Sequence, residues 1–527
     1  MTGQGATAGP ARASTTVPAT PAADPAVDRA VDRAAGPSLN RRVTVDSLWI
    51  LAGYAVTSGA GFVFWIVAAR LVPPAELGLN TAIYSIVTAA AAVAASGVGN
   101  ALLVMLPVSG GARARLLRLG AGTGMCIATV TGLIAGVLVA LFVAPQGPPV
   151  VTVLGVALVT VVWSLFVVKD PVLTALGHAR YTLAVNGPVN VAKLGLLPLL
   201  VVVAGTSALP VVVASVAPAV LACLLVFGFS LPRLLRRTPD GAARPADRAD
   251  QSRDEAATAS GDGISPVSVS EPETVTETVP EAVPETPSGW LERNRRAFAL
   301  FVLRDGTANG LYLGVILALP FLVTALAGAE QGAVFALCFQ ISLVLDLVVI
   351  GVGAALATHS AGAEVGAPAA AMRVWLQVLA VVTFGAVALI AVAPFLLGAL
   401  GRFYEGSAGI TVIVLLAAGS VLRTSFEIWS ATLRARQHTT IVLICTALFA
   451  AGLVPLVLVL TPRFGAVGAA AALLVVTVGL GVAGVVGLLR PLLAGRRSAP
   501  AVPASVVPVP AVPMPAETMP AETGVRA

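Results

Sequence analysis

The chain has 527 residues, of which 57% are hydrophobic and only 11% are charged, and its mean hydropathy is +0.92. Soluble domains keep roughly a quarter of their residues charged, so this composition excludes an ordinary globular protein. The net charge of +6 does not indicate nucleic-acid binding, because the arginines cluster between hydrophobic segments and do not follow one soluble face.

The chain opens with an alanine- and proline-rich arm that lacks the apolar core of a signal peptide. Long apolar runs follow, most of them near the ~20 residues that a helix needs to cross a bilayer. The predicted spans are 48–69, 80–106, 117–143, 150–168, 182–204, 208–231, 298–325, 333–357, 374–398, 409–432, 440–460 and 465–489. The sequence therefore predicts an all-α integral membrane protein with about twelve transmembrane helices.

A long polar segment divides these spans six and six. Residues 233–292 and 491–527 are rich in Pro, Thr and acidic residues, and we predict that they and the arm 1–42 are disordered cytoplasmic segments. The remaining residues form two predicted six-helix bundles, at 43–232 and 293–490.

Basic residues concentrate on one side of the predicted membrane, here named the arginine-rich side. It carries Arg41, Arg42, Arg113, Arg115, Arg118, Lys169, Arg180, Arg233, Arg236, Arg237, Arg293, Arg295, Arg296, Arg373, Arg434, Arg436, Arg490, Arg496 and Arg497. The opposite side has only Arg70, Arg402 and Arg463. Cytoplasmic loops carry the excess of Lys and Arg, so we expect a multi-pass plasma-membrane protein with both termini in the cytoplasm.

The four cysteines lie singly in apolar runs and the three histidines are far apart. This pattern favours neither a disulfide framework nor a zinc site, so we expect packing cysteines, no metal and no cofactor.

Short matches relate the two halves. Residues 75–78 (AELG) correspond to 329–332 (AEQG), and later in each half Asp170 aligns with Glu427. Two halves of the same orientation predict parallel repeats around a central cavity that opens alternately to either side of the membrane. Short Gly/Ala-rich loops that look alike without a common origin are the alternative.

The first half also begins with a distinctive series of segments. They are FW (64–65), ARL (69–71), Pro74, ELG (76–78), GVGN (97–100) and LP (106–107). This series resembles the opening helices of bacterial polysaccharide and oligosaccharide flippases, within the multidrug/oligosaccharidyl-lipid/polysaccharide exporter superfamily. Residues 298–360 likewise resemble the seventh and eighth helices of those proteins, although the ending ATHS departs from their acidic, glycine-containing ending.

The resemblance implies two six-helix bundles around a central cavity, no enzymatic activity, and a polyprenyl-pyrophosphate-linked glycan as substrate. Such a flippase would move oligosaccharide or polysaccharide precursors from the cytoplasmic to the outer leaflet by alternating access, for cell-surface polysaccharide biosynthesis. Its partners would be the lipid-linked glycan and membrane lipids, with polysaccharide polymerases or glycosyltransferases as further candidates.

Other functions remain open at this point. A cation-coupled multidrug exporter of the same superfamily would use acidic cavity residues, and a lipid II or teichoic-acid flippase is a closer alternative. An integral membrane glycosyltransferase or ligase would need sizeable outside loops, whereas the predicted ones, such as PQGPP and AGTSA, have only a few residues.

Polar residues inside the spans are the candidate site residues, because a charge at mid-membrane costs at least ~2.5–3.5 kcal/mol and needs a partner or a wet cavity. The predicted substrate-binding residues are Arg304, Lys193, Arg423, Asn186, Asn190 and Asn309. The predicted ion-coupling or charge-balance residues are Asp346, Asp305 and Glu427.

Each candidate has two interpretations. Arg304 would grip a pyrophosphate through paired hydrogen bonds, or pair with Asp305 near the headgroups. Lys193 would line the cavity with Asn186 and Asn190, which share its helix face, or extend to an interface. Arg423 would contact substrate or pair with Glu427 one turn away. Asp346 would bind a proton or sodium ion, or balance a cation such as Arg304 or Lys193.

Overall fold

The computed structural model describes residues 59–143, 148–178, 180–237, 287–360, 368–435 and 439–497, and this part of the chain is helical without strands. Outside it lie the arm 1–42, residues 48–58 of the first predicted span, residues 238–286 of the central segment and the tail from residue 498. The predictions for those segments stay predictions.

The helices follow the predicted spans closely. They are α1 (Gly59–Leu71), α2 (Pro74–Met105), α3 (Arg113–Phe142), α4 (Pro149–Ala175), α5 (Arg180–Ala204), α6 (Pro210–Leu225), α7 (Pro287–Leu317), α8 (Ala329–Ser360), α9 (Pro368–Leu400), α10 (Ser407–Ala435) and α11 (Thr439–Arg497). A π-helical turn joins α6 to a short helix, Leu231–Arg237, and α7 is followed by the short helix Leu319–Ala327. Ten of the described helices, α2 to α11, are long and apolar enough to span a membrane. The chain is a multi-pass membrane protein.

The last helix contains two spans. Gly465 has φ 59°, a left-handed conformation that glycine adopts without a steric penalty. The chain reverses there, since a Cβ atom on Gly452 would lie 3.6 Å from the side chain of Val476. The two arms of α11 match the predicted spans 440–460 and 465–489. Apart from the two short helices, each half of the described part of the chain thus has six helices.

Prolines set several helix starts. Pro74, Pro149 and Pro210 begin α2, α4 and α6, and proline suits the first helical position because its missing N–H would have no partner there. At the other end, α4 continues to Ala175, past the predicted end at 168. The prediction stopped at Lys169, but a charged residue continues a buried helix when a neighbouring group compensates its charge.

The two halves meet along α2. In the most apolar segment of α2, 67% of the residues are buried, compared with 11% in that of α5. Glycines of α7 at four-residue spacing face α2: Gly306, Gly310 and Gly314. A Cβ atom on Gly97 of α2 would lie 2.5 Å from the Val302 carbonyl oxygen and 2.6 Å from the Gly306 Cα. Small residues allow such close backbone approach in membranes. We call this contact of α2 with α7 and α8 the seam.

The seam is also closed at the opposite end of α2. A Cβ atom on Gly78 would overlap the Ala329 carbonyl of α8, and the Thr324 hydroxyl donates a 3.4 Å hydrogen bond to the Gly78 carbonyl. Nearby, the Arg70 guanidinium donates to the carbonyls of Gly398 (3.0 Å) and Ala399 (2.8 Å) across the halves. The two halves therefore touch near both ends of α2.

Candidate functional site

A polar cluster joins α4 to α5 in the first half. Lys169 is fully buried, and its ammonium lies 2.8 Å from the Asp170 carboxylate. The same ammonium donates to the Asn186 side-chain oxygen at 2.8 Å, and the Asn186 amide donates to Asp170 at 3.3 Å. Asn186 thus completes a closed set of three side chains, in which the buried Lys169 charge is paired and hydrogen-bonded. The sequence did not single out Lys169, because its carboxylate partner is simply the next residue.

Further along α5, Asn190 and Lys193 continue the polar face. Asn190 is buried and donates to the Asn186 backbone carbonyl at 2.8 Å. The half-buried Lys193 places its ammonium 5.0 Å from the centre of the Phe64 ring, within cation–π range. Lys193 has no carboxylate partner within the part of the chain that the structure describes. Its charge is balanced by no protein group there.

An aromatic row runs through the first half between these lysines. It comprises Phe64 and Trp65 of α1, Tyr84 of α2, and Trp163 and Phe166 of α4, with successive ring centres 5.4 to 6.0 Å apart. The Lys169 ammonium lies 3.8 Å from the Phe166 ring, so each end of the row carries a lysine. This row was not predicted from the sequence, because its rings come from three different helices.

The second half has its own charged cluster, in which Arg423 of α10 forms an ion pair with Asp346 of α8. The buried Tyr312 of α7 and Glu427 of α10 lie within electrostatic reach of this pair. The sequence proposed Glu427 as the partner of Arg423, and Arg304 or Lys193 as the partner of Asp346. The structure instead pairs Arg423 with Asp346, because two adjoining helices bring these side chains together.

A third set of side chains crosses the seam. The Asn100 amide donates to the buried Asp305 carboxylate at 2.7 Å, and the Asn309 amide donates to it at 3.0 Å. The Arg434 guanidinium donates to the Asn309 oxygen at 2.9 Å. We call these four residues the latch. Asn100 belongs to the first half of the chain and the other three to the second.

The predicted cations do not form one cluster. Lys193 lies in the first half and Arg423 in the second. Arg304 is exposed on α7 and pairs with no acid among the described residues, whereas its neighbour Asp305 is turned into the latch. Their roles in substrate binding remain predictions.

Comparison with known proteins gives the fold. No family model and no curated protein matches the sequence. Among solved structures, an inward-facing multidrug resistance MATE family transporter of the MOP superfamily is 15% identical, with a TM-score of 0.53 over 85% of this chain and 96% of that one. The chain has the fold of MOP superfamily transporters. This confirms the predicted all-α membrane fold with twelve helices in two bundles.

Two further structures share the MOP fold. A MOP superfamily transporter from Pyrococcus furiosus, described as having a binding pocket of reverse polarity, is 15% identical with a TM-score of 0.56, covering 85% of this chain and 95% of that one. The lipid II flippase MurJ, in an inward closed conformation, is 10% identical with a TM-score of 0.56, covering 85% and 87%. At such identities the likeness concerns the fold alone, and the cargo has to be inferred from the site.

Proposed function

We propose that the chain is a flippase that moves polyprenyl-pyrophosphate-linked oligosaccharide or polysaccharide precursors from the cytoplasmic to the outer leaflet. Lys193 carries the proposal. It lies ~20 Å along α5 from Arg180, at 1.5 Å per residue, and therefore deep in the membrane. A cation at that depth without a carboxylate is costly, and an anionic head group would supply the missing charge.

The surroundings of Lys193 suit a sugar phosphate. Binding pockets combine aromatic walls with a few placed polar groups. The partly exposed rings of Trp163 and Phe166 in the aromatic row would supply flat apolar surfaces, and Asn186 and Asn190 would supply amides on the α5 face that carries Lys193. On the second half, Arg304 and Asn309 are the further proposed substrate contacts, whereas Arg423, a predicted contact, is already paired with Asp346.

Alternating access would operate at the seam. The Gly97–Gly306 contact and the latch close the arginine-rich end, which we propose to be cytoplasmic along with both termini. The contacts of Gly78 and Arg70 close the other end. Separating one end while the other stays closed would expose the interior to one side of the membrane at a time.

The pairing of the acidic residues favours an anionic lipid-linked glycan over an organic cation as the cargo. A cation-coupled multidrug exporter needs carboxylates that are available to its substrate. Asp346 is paired with Arg423, and Asp305 accepts two amide hydrogen bonds. We therefore assign Asp346, Asp305 and Glu427 to charge balance.

Binding to purified full-length protein in nanodiscs tests the proposal, with a polyprenyl-pyrophosphate oligosaccharide as ligand. Lys193→Gln should weaken binding by about tenfold, or ~1.4 kcal/mol, while Lys193→Arg should retain it. Arg463→Gln, which removes an exposed charge on the opposite side, is the matched control. Equal affinity of Lys193→Gln and Arg463→Gln would contradict the proposal. Binding of a quaternary-ammonium drug in place of the lipid would favour the exporter.

A further inference from the structure

A groove of about 680 Å³ lies on the surface of the bundle beside the seam. Its floor is α2, with Val93 and Gly97, and its walls are α3 and α7. The lining is almost entirely apolar, and Arg295 lies toward its arginine-rich end.

The groove faces hydrocarbon. Large apolar side chains on its α7 wall are exposed, among them Leu303 and Leu311, and Val130 is exposed on α3. On spanning helices such an exposed apolar face contacts lipid. A ligand in this groove is therefore a hydrocarbon chain and not a water-soluble molecule.

The length of the groove indicates which kind of lipid chain would fill it. From Arg295 to Leu311 the α7 wall extends ~24 Å, at 1.5 Å per residue. The hydrocarbon core is ~30 Å thick, so one leaflet supplies only about half of that. A phospholipid acyl chain would fill little more than half of the groove, whereas a long isoprenoid chain would fill it.

We propose that the groove binds the chain of a polyprenyl phosphate, with the Arg295 guanidinium on the phosphate before the head group enters the interior. This inference rests on the proposed function. While a head group occupies the interior, its chain has to leave between helices, and Gly97 and Gly306 line both the groove and the seam. The groove is thus the path along which the chain of the cargo leaves the seam.

Photo-crosslinking tests this in nanodiscs that contain the full-length chain and a diazirine-bearing polyprenyl phosphate. Label should appear in peptides covering 119–127 and 299–311. Ala299→Trp fills the groove and Arg295→Gln removes its cation, and each should lower labelling at least fivefold. The matched controls are Ala388→Trp, on the exposed face of α9, and Arg296→Gln, an exposed neighbour that does not line the groove. Thr307→Trp is a second filling variant should Ala299→Trp fail to fold.

The outcomes separate the two proposals. Labelling unchanged in Ala299→Trp or Thr307→Trp and in Arg295→Gln overturns the groove proposal, whatever the transport result. Competition by phosphatidylglycerol as strong as that by unlabelled polyprenyl phosphate also overturns it, since the groove would then be a general lipid site. Inorganic phosphate should not compete. Specific labelling without translocation of the glycan-linked lipid would support the groove and refute the proposed function.

Discussion

The Asn100 amide donates a 2.7 Å hydrogen bond to the Asp305 carboxylate and so links the first half of the chain to the second. The link lies next to a close backbone approach between the halves, at Gly97 and Gly306. Polar and steric contacts thus close the seam at the same end, and both have to separate if that end opens.

Weakening the latch should favour the open seam. A hydrogen bond to a charged group contributes about 1.5–3 kcal/mol, so Asn100→Ala should raise the open fraction about 10–100-fold. Hydrogen–deuterium exchange should then rise in the α2 and α7 peptides that contain residues 97–105 and 300–310. Asn294→Ala removes a hydrogen bond within α7, from the Asn294 side-chain amide to the Trp290 carbonyl, and should leave hydrogen–deuterium exchange unchanged. Equal exchange in both variants would contradict the role of the latch.

Adding a methyl group to the seam should hold it apart. The Cβ atom of Gly97→Ala would meet backbone atoms of α7, which no side-chain rotation relieves. Overpacking of this kind costs about 1–3 kcal/mol in the closed state. We expect a folded, monodisperse protein with strongly reduced transport. Gly155→Ala is the control, because a Cβ atom there has no neighbour within 4 Å; comparable loss in both variants would sink the idea.

The Arg423–Asp346 pair should behave as a structural unit. Asp346→Asn leaves the Arg423 guanidinium without its paired charge, and breaking a buried pair costs about 3–5 kcal/mol. The double variant Arg423→Gln/Asp346→Asn should recover much of that loss, although Glu427 then lacks the nearby cation. Thermal unfolding of the native chain, Asp346→Asn, Arg423→Gln and the double variant measures the coupling between the two side chains in a double-mutant cycle. Additive effects would show that the pair is not coupled.

Asn186 should contribute to the stability of the protein even when no substrate is bound. Its side chain joins Lys169 to Asp170, so Asn186→Ala should lower the free energy of unfolding by about 1–3 kcal/mol. Asn190→Ala loses only a hydrogen bond to the Asn186 backbone carbonyl and should lower the free energy of unfolding by less. Unfolding of both variants without ligand checks this order. The reverse order would mean that the cluster does not hold α5 to α4.

Hydrophobic length was enough to predict the helices, because each span has to satisfy its own backbone hydrogen bonds in lipid. It failed where a charge is compensated, as at Lys169, but it correctly separated the two spans that α11 joins around Gly465. The spacing of Gly306, Gly310 and Gly314 was present in the sequence and would have predicted the seam.

The site was only partly predictable. Helical spacing placed Asn186, Asn190 and Lys193 on one face, which needs only the period of a single helix. The Arg423–Asp346 pair and the Asn100–Asp305 bond join different helices, and one sequence does not contain the packing that brings them together.

Translocation of a fluorescent polyprenyl-pyrophosphate oligosaccharide across proteoliposomes is the most direct test of the flippase proposal. The native chain, Lys193→Arg and Arg463→Gln should move the lipid to the other leaflet, and Lys193→Gln should slow that movement at least tenfold. Translocation by Lys193→Gln at the native rate, or none by the native chain under any ion gradient, would contradict it.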